Sequence, residues 1–224
     1  EPRPRDVREA APGARLSDAM RPWVRVRAES TPDAPAIISP GKVLSWSALA
    51  QEAEGVAHGL RAAGARPGDT VAVLLENGPA FVALVHAAPL AGVTLVPLNL
   101  RQLATELAYP IAEAGVSLVV HGDGVLAERA EAASAGSRAH CVPAAYLSKL
   151  SRGGPPSQLF DAIALSAPAA IVYTSGTTGR PKGAVLSYGS FFWSAIGSAF
   201  HLGSLPTDRW FACMPLYHVG GLSI

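Results

Sequence analysis

Residues 174–183 read Thr-Ser-Gly-Thr-Thr-Gly-Arg-Pro-Lys-Gly. Four hydroxyl side chains (Thr174, Ser175, Thr177, Thr178), three glycines (Gly176, Gly179, Gly183) and Lys182 therefore fall within one short stretch. Such a mixture suits a chain of phosphates. Glycine lets the backbone approach a ligand closely, and successive backbone N–H groups form an anion-binding nest. The hydroxyls donate to phosphate oxygens, and Lys182 adds a full positive charge. A hydrogen bond to a charged group is worth about 1.5–3 kcal/mol net, so several together could hold a triphosphate tail. Pro181 stiffens the turn ahead of the lysine. The pattern is not the Walker loop, in which Gly-Lys runs directly into Ser or Thr; here Pro181 precedes the lysine and Gly183 follows it. An exposed hydroxyl-rich turn is the competing reading, and the apolar strand pattern upstream weighs against it.

A second segment, Pro215-Leu216-Tyr217-His218-Val219-Gly220-Gly221-Leu222, lies near the end of the sequence. The pattern predicts a strand ending at Met214, a break at Pro215 and an aromatic–His–Gly turn. A histidine in such a turn, taken alone, is more often a satisfied polar residue than a reactive one. His86 sits on an otherwise apolar helix and reads as structural. Cys141 and Cys213 read as small buried hydrophobes. Two cysteines and scattered histidines build neither a disulfide framework nor a four-ligand zinc site, so no protein metal site is expected. Arg101 and Glu106 read as surface groups.

The elements that must carry these residues alternate. Short strands are expected at 36–39 and 43–46, joined by a Pro40-Gly41 turn. Ser47 is the expected N-cap of a helix whose apolar stripe is Leu49, Ala53, Val56, Leu60 and Ala63. Gly64 stops it. Residues 70–75 form a continuous apolar run, typical of a strand buried on both faces. A helix over 79–90, a strand over 93–96, a helix over 102–114 (Leu103, Leu107, Ile111) and a strand over 117–120 come next. Pro89 and Pro110 should kink or stop their helices early. Residues 124–135 suit a surface helix and 151–156 a loop; 122–168 carry no recognisable chemistry. Residues 169–173 resume as a strand leading into the hydroxyl-rich loop, and 184–187 continue beyond it as an apolar run. This βαβα rhythm predicts an α/β fold with a mostly parallel sheet flanked by helices.

Composition narrows the function classes. The chain has 224 residues, 49% hydrophobic and 16% charged, which suits a packed globular core rather than disorder. Eighteen Lys and Arg against seventeen Asp and Glu give a formal charge of +1, too balanced for nucleic-acid binding by bulk charge. Residues 77–100 carry no formal charge, but Gly78, Pro79, His86, Pro89, Gly92 and Pro97 interrupt them. A buried helix and strand fit better than a membrane span. Residues 1–19 lack periodicity and contain no secretory apolar segment. They read as a disordered tail or a non-native extension before Met20, and a reducing intracellular setting is the default.

Residues 173–184, Tyr-Thr-Ser-Gly-Thr-Thr-Gly-Arg-Pro-Lys-Gly-Ala, resemble the signature phosphate loop of the adenylate-forming, AMP-binding enzymes. That superfamily holds acyl-CoA synthetases, peptide-synthetase adenylation domains and luciferases. The resemblance extends upstream through Leu44-Ser45-Trp46, Gly68-Asp69-Thr70-Val71-Ala72 and Val96-Pro97-Leu98-Asn99, and covers about residue 20 to the end. It implies that 20–224 is an incomplete N-terminal AMP-binding domain, part of the large domain of such an enzyme, with the C-terminal domain absent and the fragment inactive alone. It further implies ATP, Mg2+ and coenzyme A as reaction partners of a small-molecule carboxylic acid, a cytoplasmic location, and a homodimer at full length. By the same resemblance, Thr174, Ser175, Gly176, Thr177, Thr178, Gly179 and Lys182 would hold the ATP phosphates. Lys182 and His218 would be catalytic, and Tyr217, His218, Gly220 and Gly221 would line the acyl pocket. Within the superfamily, the ending Cys213-Met214-Pro215-Leu216-Tyr217-His218 with Gly220-Gly221, and the start at Met20 with Trp23, are similar to the o-succinylbenzoate–CoA ligases of menaquinone biosynthesis. A fatty-acid or aromatic-acid CoA ligase, or a non-catalytic nucleotide-binding remnant, are the alternatives.

Overall fold

The structure, a computed structural model, describes residues 18–150, 158–174 and 180–223. In chain order these form β1 (Ala19–Met20), α1 (Trp23–Ser30), β2 (Pro35–Ser39), β3 (Lys42–Ser45), α2 (Trp46–Ala62), β4 (Thr70–Leu74), α3 (Pro79–Ala91) and β5 (Thr94–Pro97). Then come α4 (Ala104–Glu113), β6 (Leu118–His121), α5 (Val125–Ser134), β7 (His140–Pro143), α6 (Ala144–Leu150), β8 (Ile163–Ala164), β9 (Pro168–Thr174), β10 (Lys182–Ser187), α7 (Tyr188–Leu202) and α8 (Val219–Leu222). The main sheet has the order β10-β9-β5-β4-β6-β7. Only the β9–β10 pairing within it is antiparallel.

Side-chain alternation along β4 explains the layering. Val71, Val73 and Leu75 face a core shared with α2, α3 and Leu147 of α6. Ala72 and Leu74 face the opposite core, with Leu107 and Ile111 of α4 and Ala130 and Ala133 of α5. Both faces are covered, as a parallel sheet requires.

Several expectations are corrected. Ser45, not Ser47, caps α2, its hydroxyl accepting the Ala48 N–H at 3.2 Å; Trp46 already belongs to the helix. Neither Pro89 nor Pro110 ends its helix early, since α3 continues to Ala91 and α4 to Glu113. Each proline lies near the end of its helix, where few later turns depend on the lost bond. The 122–168 stretch adds a strand to the sheet, β7, and a packed helix, α6, beyond its surface helix α5. Their shortness hides them from periodicity. No strand forms over residues 210–214, and Phe211 is 86% exposed. Cys213 is exposed rather than buried, and Cys141 is half-buried. Glu106 is exposed, as expected, and its carboxylate also accepts the Leu103 N–H at 2.7 Å at the start of α4. Ala19, inside the stretch read as a tail, pairs with Ala164. The loop expected at 151–156 lies outside the described residues.

Candidate functional site

Thr174 closes β9 and Lys182 opens β10, and the two are register partners across the antiparallel ladder. The intervening hydroxyl-rich segment therefore leaves and re-enters the sheet at one point. Lys182 belongs to the strand itself, so its backbone is fixed by pairing while its side chain is exposed. Thr174 is exposed beside it. Ser175, Gly176, Thr177, Thr178 and Gly179 lie outside the described residues.

β9 runs parallel to β5, so Thr174 emerges at the edge where Leu74, Pro97 and His121 end their strands. β4 is flanked by β5 on one side and β6 on the other. The chain thus changes direction across the sheet at β4, and such reversals mark the ligand edge of open α/β sheets.

Two contacts hold the base of the hairpin. The Tyr173 hydroxyl donates to the carboxylate of Glu113, the last residue of α4, and its ring meets Tyr109 edge-on at 6.4 Å. Burial, then the neighbouring Glu113, pushes the phenol up, so it stays a donor. Gly183 lets the strands close: a Cβ there would stand 2.8 Å from Ile171 Cγ2 and 3.0 Å from Tyr173 Cζ.

The His218 segment reaches the same edge through Asn77, in the connection between β4 and α3. The Asn77 carboxamide donates to the Met214 carbonyl and accepts the Leu216 N–H, both at 2.9 Å. The turn then closes on itself, with the His218 N–H donating to the Pro215 carbonyl at 3.0 Å. A Cβ on Gly221 would lie 2.2 Å from the Pro215 oxygen. Tyr217 and Gly221 are buried, whereas His218 and Gly220 are exposed. The His218 ring sits 4.6 Å from that of Tyr217, tilted by 52°. One strand, β5, separates β4 from β9. Lys182 lies on β10, one strand beyond β9, so three strand spacings, about 14 Å, separate it from the end of β4 along the edge. Lys182 and the His218 turn are thus brought to one side of the sheet. Sequence reasoning missed Asn77 and Glu113. The signal for Asn77 was its place in the connection after a buried strand at the ligand edge; Glu113 had none.

A cavity of about 50 Å³ lies elsewhere, lined by Trp23, Val85, His86, Pro89, Tyr188 and Leu222 among others. It meets the second motif only at Leu222; Tyr217, His218, Gly220 and Gly221 do not line it. Burial lowers His86 to about 4, which keeps it neutral against Trp46. The buried Tyr188 hydroxyl has no partner among the described residues. No group of three His, Cys, Asp or Glu among the described residues could hold a metal ion.

Fold and edge together define a doubly wound α/β protein with a lysine-bearing glycine–hydroxyl hairpin on its ligand side. The sequence model of the AMP-binding enzyme family matches residues 24–224, and the chain belongs to that family. It is 36% identical over 201 residues to the 2-succinylbenzoate–CoA ligase of Bacillus licheniformis, covering 90% of this chain and 41% of the relative. Among solved structures it resembles the o-succinylbenzoate CoA synthetase of Bacillus subtilis in complex with its acyl-adenylate intermediate. There the TM-score is 0.84 at 30% identity, covering 92% of this chain and 41% of that one. The same enzyme in complex with ATP and magnesium ion matches with a TM-score of 0.81 at 29% identity, covering 92% and 53%. The chain spans about 41% of the length of the curated relatives it matches.

Proposed function

We propose that residues 20–224 are the N-terminal part of the large domain of an AMP-forming acid–CoA ligase, with o-succinylbenzoate as its acid. The observation that carries this reading is the β9–β10 hairpin, with Lys182 opposite Thr174, on the same sheet edge as the His218 turn. The 36% identity to a 2-succinylbenzoate–CoA ligase supports the choice of acid.

In the first half-reaction a carboxylate oxygen of the acid attacks the α-phosphorus of ATP. The bond to the α,β-bridging oxygen breaks, and pyrophosphate leaves. Residues 174–179 and Lys182 bind the β- and γ-phosphates and offset the charge that grows on the leaving group. Magnesium, held through phosphate oxygens, would neutralise part of that charge. His218 orients the carboxylate, and Tyr217 with the Gly220-Gly221 backbone shapes the acyl side. In the second half-reaction the coenzyme A thiol attacks the acyl carbon; AMP leaves and the thiol proton passes to solvent. The enzyme so proposed is cytoplasmic and, at full length, homodimeric.

The test is acid-dependent ATP–pyrophosphate exchange by the intact protein over a panel of acids. Exchange driven best by o-succinylbenzoate supports the reading. Preference for a long-chain or simple aromatic acid replaces the substrate, and no exchange with any acid points to a non-catalytic nucleotide-binding remnant.

A further inference from the structure

We infer that Asn77 is the positioning residue that sets His218 at the ligand edge. The inference rests on the proposed function, in which His218 meets the substrate carboxylate. The segment before the turn has exposed side chains from Leu205 to Met214 and no regular structure over residues 208–213. That segment does not hold the turn in place, so its position is set by the Asn77 bonds at Met214 and Leu216 together with the packing of Leu216 and Leu222 on the main core. Leu216 packs into the main core, but an apolar contact carries little directional information. The Asn77 carboxamide is directional. It engages one carbonyl and one N–H two residues apart, each at 2.9 Å, and so fixes both the height of the turn and its rotation. Past Leu216 the turn is rigid, because the His218 N–H bonds back to Pro215 and Gly221 packs against the same carbonyl. A displacement at Leu216 is thus passed to His218 without being absorbed. Asn77 itself stands three residues past the end of β4, in the connection to α3.

A carboxamide carries a donor and an acceptor on one planar group, which suits a carbonyl and an N–H two residues apart. In Asn77→Asp the carboxylate still accepts the Leu216 N–H, but it faces the Met214 carbonyl with no proton to donate. Protonating the introduced carboxyl restores that donor. Asn77→Ala removes both bonds.

The test uses the intact protein, with hydrogen–deuterium exchange of the peptide carrying Leu216 and ATP–pyrophosphate exchange with o-succinylbenzoate. In Asn77→Ala we expect the Leu216 amide to exchange roughly tenfold faster or more. We expect kcat to fall roughly 10- to 100-fold, since a misplacement of about 1 Å costs on the order of 100-fold, with the KM for ATP changed less than about twofold. Asn77→Asp should lie between parent and Asn77→Ala. Its activity relative to the parent should rise on acidification towards the ordinary aspartate range of about 4. Gly59→Ala, destabilising but remote, should leave kcat at the parental value, which separates positioning from general loss of stability. An unchanged Leu216 exchange rate in Asn77→Ala overturns the inference whatever the kinetics. Parental kcat in Asn77→Ala overturns it while leaving the proposed function standing. A parent silent with every acid removes the proposed function, and the catalytic half of the inference with it.

Discussion

The Tyr173 hydroxyl is hydrogen-bonded to the Glu113 carboxylate, which ties the end of α4 to the strand that launches the hydroxyl-rich loop. Tyr173→Phe removes the donor while keeping the ring on Tyr109. It should lower stability by about 1.5–3 kcal/mol, the usual range for a hydrogen bond to a charged group. Glu113→Gln keeps a neutral acceptor and should cost less. Urea unfolding of the three proteins at neutral pH measures the order.

Lys182 gives the most direct test of the phosphate reading. Its backbone is locked opposite Thr174, so truncating the side chain should leave the hairpin in place. Lys182→Ala should raise the KM for ATP roughly 10- to 100-fold, the equivalent of one charge-assisted bond. Lys182→Arg should recover only part of this, because a planar fork does not reproduce a point charge. Pyrophosphate exchange at limiting ATP reads both; a parental rate in Lys182→Ala would remove the loop from the mechanism.

His86 makes stability depend on acid. Its folded-state value near 4 lies below the ordinary 6.5, so between these values the unfolded chain binds a proton that the folded chain refuses. The contribution of a neutral His86 is complete above pH 6.5 and is lost as pH falls towards 4. It amounts to at most ~3 kcal/mol. His86→Leu should flatten this part of the stability curve, seen as a smaller difference between urea midpoints at about pH 7 and about pH 4.5.

Two glycines of α2 should respond with opposite signs. A Cβ on Gly55 meets nothing within 4 Å, whereas one on Gly59 would fall 2.1 Å from the Leu147 carbonyl oxygen. Gly55→Ala should therefore stabilise by roughly 0.5–1 kcal/mol through helix propensity. Gly59→Ala should destabilise by about 1–3 kcal/mol, because α6 must move off α2. Thermal unfolding of both variants checks the sign.

The α/β class was legible because the strands that matter most are apolar runs bounded by turns. Residues 70–74 could be read directly, and so could the stripe from Leu49 to Leu60. The hairpin was legible because its chemistry is local, with every relevant residue within a single short stretch. What escaped was non-local. β7 and α6 are too short to show a period, and they exist because β6 and α2 offer edges to pair and pack against. The bonds from Asn77 to Leu216 and from Tyr173 to Glu113 cross 139 and 60 positions. No spacing rule reaches that far. The strand expected to end at Met214 failed for the complementary reason: β-propensity without a neighbouring ladder among the described residues leaves the backbone unpaired.

The placement of β9 has a consequence for synthesis on the ribosome. β5 is flanked by β4 and β9, and Thr94 reaches across to the carbonyl of Pro168, 74 positions later. While the nascent chain ends anywhere between these points, one side of β5 offers bare amides and carbonyls to any passing strand. β9 is thus also the piece that shields the half-made sheet, and emerging copies that lack it are the ones a chaperone should hold.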